Sequence, residues 1–286
     1  MPSPNHQHIF DLLVAALPNQ RRLAIVDYGC GDAQLLKVLP SNRLKWYRGF
    51  DISRAALQWA AATCRSGTAE LGTARIETAR VGTVRTSASQ TGKSQTGPSR
   101  CRLYHVPTQA IPRLGRKNSA DAVVAIGVLQ YLDDDQLDQF LEQSRRVLKP
   151  DGVLIVSTTA DHAAYRWVSL YRWLLPHRYY SPSQLRSACR RARLRPLNLH
   201  QKGLVFGPLF SNVVSAVVDG VDRVVWRSRG RIGPVGRFSR RLVSPLLRWE
   251  YRWPVRFGYT LYLVARPLAR PAARPSARPP RRHFSK

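Results

Sequence analysis

The stretch that most constrains this chain is Leu23–Ser53, LAIVDYGCGDAQLLKVLPSNRLKWYRGFDIS. Leu23 to Val26 is a short apolar run of the kind that forms a strand buried on both faces. It ends in Asp27-Tyr28-Gly29-Cys30-Gly31-Asp32, after which Leu35, Leu36, Val38 and Leu39 recur at helical spacing. Strand, glycine turn and helix in that order let a ligand approach backbone at the C-terminal edge of a parallel sheet. A second strand, Trp46 to Phe50, ends at Asp51, 20 residues beyond Gly31. A carboxylate fixed at the tip of the neighbouring strand is what a ribose diol needs as hydrogen-bond acceptor. The front of the chain is therefore α/β.

The glycine spacing separates two cofactor classes. A dinucleotide turn needs a third glycine where this chain has Gln34, so that a helix N-terminus can meet a pyrophosphate. That glycine is absent, and Asp27 stands two residues before the first one, where negative charge suits a cationic ligand better. The segment closely resembles motif I and the following acidic strand end of class I S-adenosylmethionine (SAM) methyltransferases. Their pattern is Asp-x-Gly-x-Gly-x-Gly, with Ala33 here in place of the last glycine. The resemblance implies that Asp27, Gly29, Cys30 and Gly31 line the methionine part of the cofactor, that Asp51 holds the ribose hydroxyls, and that Ile52 packs on the adenine.

Further along, Cys101–Val106, Ser119–Ile126 and Val153–Ser157 read as strands, and Gln136–Leu148 as a helix behind the acidic cap Asp133–Asp135. The run DAVVAIGVLQYLDDDQLDQFLEQSRRVLKPDGVLIVST is similar to the middle of the same family, where a Leu-Lys-Pro-Gly-Gly turn joins a helix to strand five; Asp151 replaces the first of those glycines. The resemblance spans roughly residues 8–64 and 101–160. It departs from the pattern where an acid usually meets the adenine amino group, a position held here by Pro107. His6–Leu17 reads as a helix ahead of the first strand, with His6 and His8 facing solvent at its frayed end. Ala55–Cys64 is a second helix, and Ser181 and Gln184 cap a further one, Leu185–Ala192. Leu194–Leu199 and Gly258–Ala265 are strand-like. The implied architecture is a Rossmann-like, doubly wound sheet of seven strands, the seventh antiparallel, with a helical insertion between the last two.

The domain organisation follows. Residues 1–64, 101–202 and 257–266 form the SAM-binding domain. Residues 65–100, rich in Thr, Ser, Gly and Ala, read as a flexible low-complexity insertion. Residues 203–256 form a basic amphipathic insertion, and 267–286 a disordered tail of repeated Arg-Pro. The formal charge of +29 divides unequally, +7 over residues 1–160 and +22 over residues 161–286. That excess suggests an anionic partner for the back half, although a general bias toward arginine would produce it too. Valines at helical offsets (Val213 to Val225) and a second stripe (Phe238, Leu242, Val243, Leu246, Leu247, Trp249) sit among arginines. This is the pattern of helices in a membrane interface, or of lid helices packed on the domain.

No signal segment and no run of spanning length is visible, and the four scattered cysteines read as reduced thiols, which together point to a cytoplasmic protein, peripheral on the inner face of the membrane in the lipid reading. No metal-ligand set stands out. Methyl transfer needs alignment, exclusion of water and removal of a proton from a hydroxyl or amine acceptor. Gln130 and Tyr131 after strand four are the polar groups nearest that point; Tyr131 is the candidate catalytic residue, with packing under the helix cap as its alternative role. His105, His177, Tyr179 and Tyr180 are further candidates. The resemblance implies SAM-dependent methyl transfer and leaves the acceptor open. The basic amphipathic insertion, read as a lid on an anionic membrane, points to a small or lipid-like acceptor. An RNA methyltransferase using the basic half is the alternative, without the metal-binding Glu-x-x-Glu-His block of small-RNA 2′-O-methyltransferases. A third is a non-catalytic relative that binds an anionic surface.

Overall fold

The computed structural model describes residues 3–66, 74–79, 100–107, 110–162, 178–203, 245–246, 249–253, 255 and 257–268. In chain order the strands are β1 (Leu23–Tyr28), β2 (Leu44–Asp51), β3 (Arg75–Thr78), β4 (Cys101–His105), β5 (Ala120–Ile126), β6 (Leu148–Thr159), β7 (Leu194–Lys202) and β8 (Thr260–Pro267). The helices are α1 (Pro4–Ala16), α2 (Arg54–Ser66), α3 (Asp134–Val147) and α4 (Pro182–Arg191). The strands form one sheet in the order β3-β4-β2-β1-β5-β6-β8-β7. β1, β2, β4 and β5 pair parallel, and β8 runs antiparallel to both β6 and β7.

Every residue of β1 is buried, as its unbroken apolar run requires. Alternate residues feed two cores. Leu23 and Ile25 pack with Ile9 and Leu13 of α1 and Leu57 and Ala60 of α2. Val26 packs on the other face, with Phe140 of α3 and Leu185 of α4. Helices thus cover both faces. Capping boxes start two of them: Asp133 and Gln136 at α3, Ser181 and Gln184 at α4, each cap being worth about 1 kcal/mol. At the N-terminal edge, buried Asp121 accepts from Ala24 N (2.8 Å) and from Lys149 Nζ (2.6 Å), tying β1, β5 and β6 together.

Four features depart from the sequence reading. The sheet has eight strands rather than seven among the described residues, and the added edge strand, β3, comes from within the stretch read as a flexible insertion; all four of its residues are exposed, so it leaves no apolar pattern. The apolar spacing after the glycine turn yields only two short 3-10 turns, Gln34–Lys37 and Ser41–Arg43. Pro40 has no N–H with which to carry a helix past Leu39. The Lys149–Gly152 turn is drawn into a longer β6. Finally, Cys64 and Cys101 form a disulfide, with Cα atoms 6.5 Å apart, whereas Cys30 and Cys189 are free and buried. Pairing of β4 beside β2, with α2 packed near it, brings together two cysteines 37 residues apart. The reduced-thiol argument for the compartment loses that support. Most of residues 65–100 and 203–256, and the tail beyond 268, lie outside the described residues.

Candidate functional site

The first two residues of the glycine turn are held against β2 backbone to backbone. Gly29 N and Cys30 N both donate to Phe50 O, at 2.7 and 3.0 Å. Gly29 has φ +73°, and a methyl there would run into the side chain of Val128, just past β5. Both the left-handed backbone and the close approach demand glycine at this position. Gly31 (φ +52°) differs: a methyl there would meet nothing within 4 Å, so the turn opens onto free space on that side.

Asp51 borders that opening. Its Oδ2 accepts from Gly31 N at 2.7 Å and its Oδ1 from Ser53 N at 2.8 Å. Two backbone donors fix the carboxylate, and each oxygen keeps a lone pair for a further donor. Beside it Ile52 is 59% exposed, an apolar platform at the strand tip, and His105 Nε2 donates to its carbonyl (3.1 Å). The residues fit SAM: a fixed carboxylate for a diol, an exposed aliphatic face for a flat base, and a backbone turn with room in front of it.

Asp27 lies beneath the turn, 3% exposed, and accepts from the buried Tyr47 hydroxyl at 2.7 Å. Burial pushes its carboxyl up to about 7; the Tyr47 bond pulls the other way and the neighbouring Asp51 adds to the rise. The Cys30 thiol is pushed well above its usual value, chiefly by burial, and is no nucleophile.

On the β5 side, Tyr131 ends the 3-10 turn Leu129–Tyr131 and is 51% exposed. Gln130 Oε1 accepts from Thr158 Oγ1 at 3.4 Å. Tyr180 is buried and its hydroxyl donates to Leu129 O at 3.0 Å, so it supports this turn from below. His105 sits at the Ile52 end instead, and His177 lies outside the described residues.

Sequence reasoning missed what α1 does. His6 and His8 are not solvent-facing. His6 Nδ1 bonds Ser3 Oγ at 2.6 Å, and burial lowers its pKa to about 4, with Asp32 and Lys37 of the turn as its charged neighbours. His8 Nε2 meets His200 Nε2 at 2.8 Å, and His200 stacks on Tyr262 with ring centroids 5.3 Å apart. Burial lowers His8 to about 3. One helix therefore touches both the turn and the β7–β8 hairpin; the Ile9–Leu13 spacing signalled a helix but not these partners.

A family model described as a methyltransferase domain matches residues 5–199. No curated protein matches the chain. Among solved structures, the chain is similar to the [4+2]-cyclase SpnF, with 18% identity over 91% of this chain and 80% of that one and a TM-score of 0.54. It is similar to magnesium protoporphyrin IX methyltransferase from Synechocystis with bound S-adenosylhomocysteine (SAH), with 14% identity over 92% and 84% of the two chains and a TM-score of 0.50. It is also similar to geranyl diphosphate C-methyltransferase from Streptomyces coelicolor in complex with Mg2+, geranyl diphosphate and SAH, with 14% identity over 91% and 77% and a TM-score of 0.50.

Proposed function

The chain belongs to the methyltransferase-domain family and takes SAM as cofactor, and from that premise we propose that it methylates a hydrophobic, lipid-like small molecule met at an anionic membrane surface. SAM supplies a methyl group on a sulfonium centre. The chain's own residues hold and orient: Asp27, Gly29, Cys30 and Gly31 at the methionine part, Asp51 at the ribose, Ile52 under the base. Tyr131 is the group to hydrogen-bond an acceptor oxygen, with Gln130 beside it.

The carrying observation is a group of exposed aromatics at the cofactor edge. Trp249 and Trp253 are 59% and 62% exposed, and Phe257 is exposed too. They precede β8, whose first residue, Thr260, pairs with Thr159 at the end of β6. Antiparallel β8 thus begins at the C-terminal edge, the edge at which β1 runs into the glycine turn. The Phe257 ring meets that of His162, just past β6, at 5.0 Å. Tryptophan favours boundaries where one side is apolar and the other wet, and the net +22 of residues 161–286 supplies attraction to anionic lipid. Among the described residues no helix is long and apolar enough to cross a membrane. A relative of the same fold named for geranyl diphosphate is in keeping with an acceptor that has a greasy chain. The proposed setting is the cytoplasmic face of a membrane.

Vesicle flotation combined with labelled-methyl transfer tests this. The full chain should float with anionic vesicles at low salt and label an organic-soluble fraction, and a variant lacking Ser211–Trp249 should do neither. Label entering RNA instead, with no flotation, would replace this reading with the RNA one.

A further inference from the structure

We propose that binding of the cofactor expels a proton from Asp27, and that Tyr47 is the positioning residue that sets the pH at which the site becomes receptive. The inference rests on the assignment of SAM to the glycine turn and concerns what lies under it.

A buried carboxyl usually has either a cationic partner or several donors. Among the described residues the Asp27 carboxyl has one hydrogen bond, from Tyr47, and no ion pair. The titratable groups facing it are Tyr47 and Asp51 from β2 and Cys30 from the turn. On the other side, β5 places apolar Val124 opposite it. His6 of α1 meets Asp32 and Lys37 rather than Asp27. None of the facing groups brings positive charge, and Asp51 brings more negative charge. A carboxyl so placed holds its proton up to about neutrality, consistent with the rise to about 7. Tyr47 is the group that favours the charged form, since a phenol donating to a carboxylate lowers its pKa.

SAM brings the missing positive charge in its sulfonium and ammonium groups. A cation within a few ångströms lowers a carboxyl pKa by about 1–3 units. Occupation of the turn therefore converts Asp27 to the carboxylate, and the proton leaves to solvent. By linkage, affinity for SAM must then fall as pH drops below the free-site value.

Calorimetric titration of the full chain with SAM in two buffers of different ionisation enthalpy tests the inference. At pH near 7, release of about half a proton per SAM is expected. Binding should weaken about fivefold to tenfold from about pH 7.5 to about pH 6. Asp27→Asn retains the ligand's own titration but loses this dependence, and serves as the reference. Tyr47→Phe should shift the transition upward by roughly a pH unit, weakening SAM at neutral pH and recovering near wild-type affinity in alkaline buffer; a merely structural loss would not recover. If Tyr47→Phe does not fold, the carboxyl resonance of Asp27 in the unliganded wild type decides, and a midpoint near 4 overturns the proposal. SAM binding without proton exchange also overturns it, while no SAM binding at any pH removes the cofactor assignment beneath it.

Discussion

Residues 23–53 and residues 245–257 meet the same edge of the sheet by opposite means. The first region is built from backbone: two amides on Phe50 O, one amide on Asp51, and glycines with positive φ. Its requirements are steric, so they fall on fixed positions at fixed spacing. The second, in its described residues, exposes the side chains of Trp249, Trp253 and Phe257, while Tyr251 between them packs on the core. Under the proposed assignment of SAM to the glycine turn, work on the cofactor sits where one methyl group decides. In the proposed reading, choice of acceptor would sit where composition decides.

Gly29→Ala should break the first region most. The left-handed backbone costs alanine about 1–2 kcal/mol, and overlap with Val128 adds about 1–3 kcal/mol. Thermal unfolding should show the loss, and SAM titration should show no binding. Trp249→Ala with Trp253→Ala should leave both readouts unchanged and reduce only flotation with anionic vesicles. If the tryptophan pair weakens SAM, the two regions are not separate in function.

Next in size is the Cys64–Cys101 disulfide. A crosslink across a loop of this length is worth about 3–4 kcal/mol on the chain-entropy model. It anchors β4 beside β2, whose tip carries Asp51 opposite His105. Cys64→Ser, or reductant on the wild type, should lower the melting point and weaken SAM severalfold. Vesicle binding should persist. The reverse pattern would place the crosslink's influence in the wrong half of the molecule.

The same contrast explains what was legible in the sequence. β1 and β5, buried along their length, announce themselves as apolar runs, and the caps of α3 and α4 lie within three residues of what they bind. Gly29, Gly31 and Asp51 are legible because their spacing is the geometry of a strand, a turn and the next strand tip. β3 was invisible because an exposed edge strand buries nothing. The pairs Cys64–Cys101 and His8–His200 join residues 37 and 192 apart, and nothing local marks either. The Tyr47–Asp27 bond links neighbouring strands, and was hidden because Tyr47 reads from the sequence as an ordinary strand aromatic.

Acidification probes α1, which touches both regions. The folded pKa values of His6 (about 4) and His8 (about 3) lie below the ordinary 6.5, so the unfolded chain gains protons first as pH falls below 6.5. Their contribution to stability is complete above 6.5 and is lost on the way down. Asp27 has the opposite sign: its folded value, about 7, exceeds the ordinary 3.8, so it disfavours the fold increasingly as pH rises across that window. Each group contributes a slope of at most about 1.4 kcal/mol per pH unit, reduced for the partly exposed His8. Two histidines outweigh one carboxyl, so stability should fall from pH 6.5 toward 5. Melting temperature against pH should flatten for His8→Gln and steepen for Asp27→Asn. No change of slope in either variant would separate these groups from the stability of the fold.

The smallest effect expected is the most discriminating, because it lies four residues from the largest. Ala33 occupies the place of the family's last glycine and adopts the left-handed conformation, φ 58° and ψ 43°. Replacing it with glycine relieves about 1–2 kcal/mol of backbone strain. It also adds about 0.5–1 kcal/mol of chain entropy to the unfolded state and forfeits a fully buried methyl worth about 0.8 kcal/mol. The terms nearly cancel, so Ala33→Gly should change stability by less than about 1 kcal/mol in either direction. SAM affinity should hold within about twofold, because the methyl packs with Leu35, Cys30 and Leu57 inside the α1–α2 core and not toward the opening in front of Gly31. Adding a methyl at Gly29 and removing one at Ala33 alter the same turn by the same group of atoms, and only the first faces Val128. A tenfold gain in SAM affinity for Ala33→Gly would mean that the alanine obstructs the ligand after all, and that this turn depends on every glycine of the family pattern rather than on the two this chain retains.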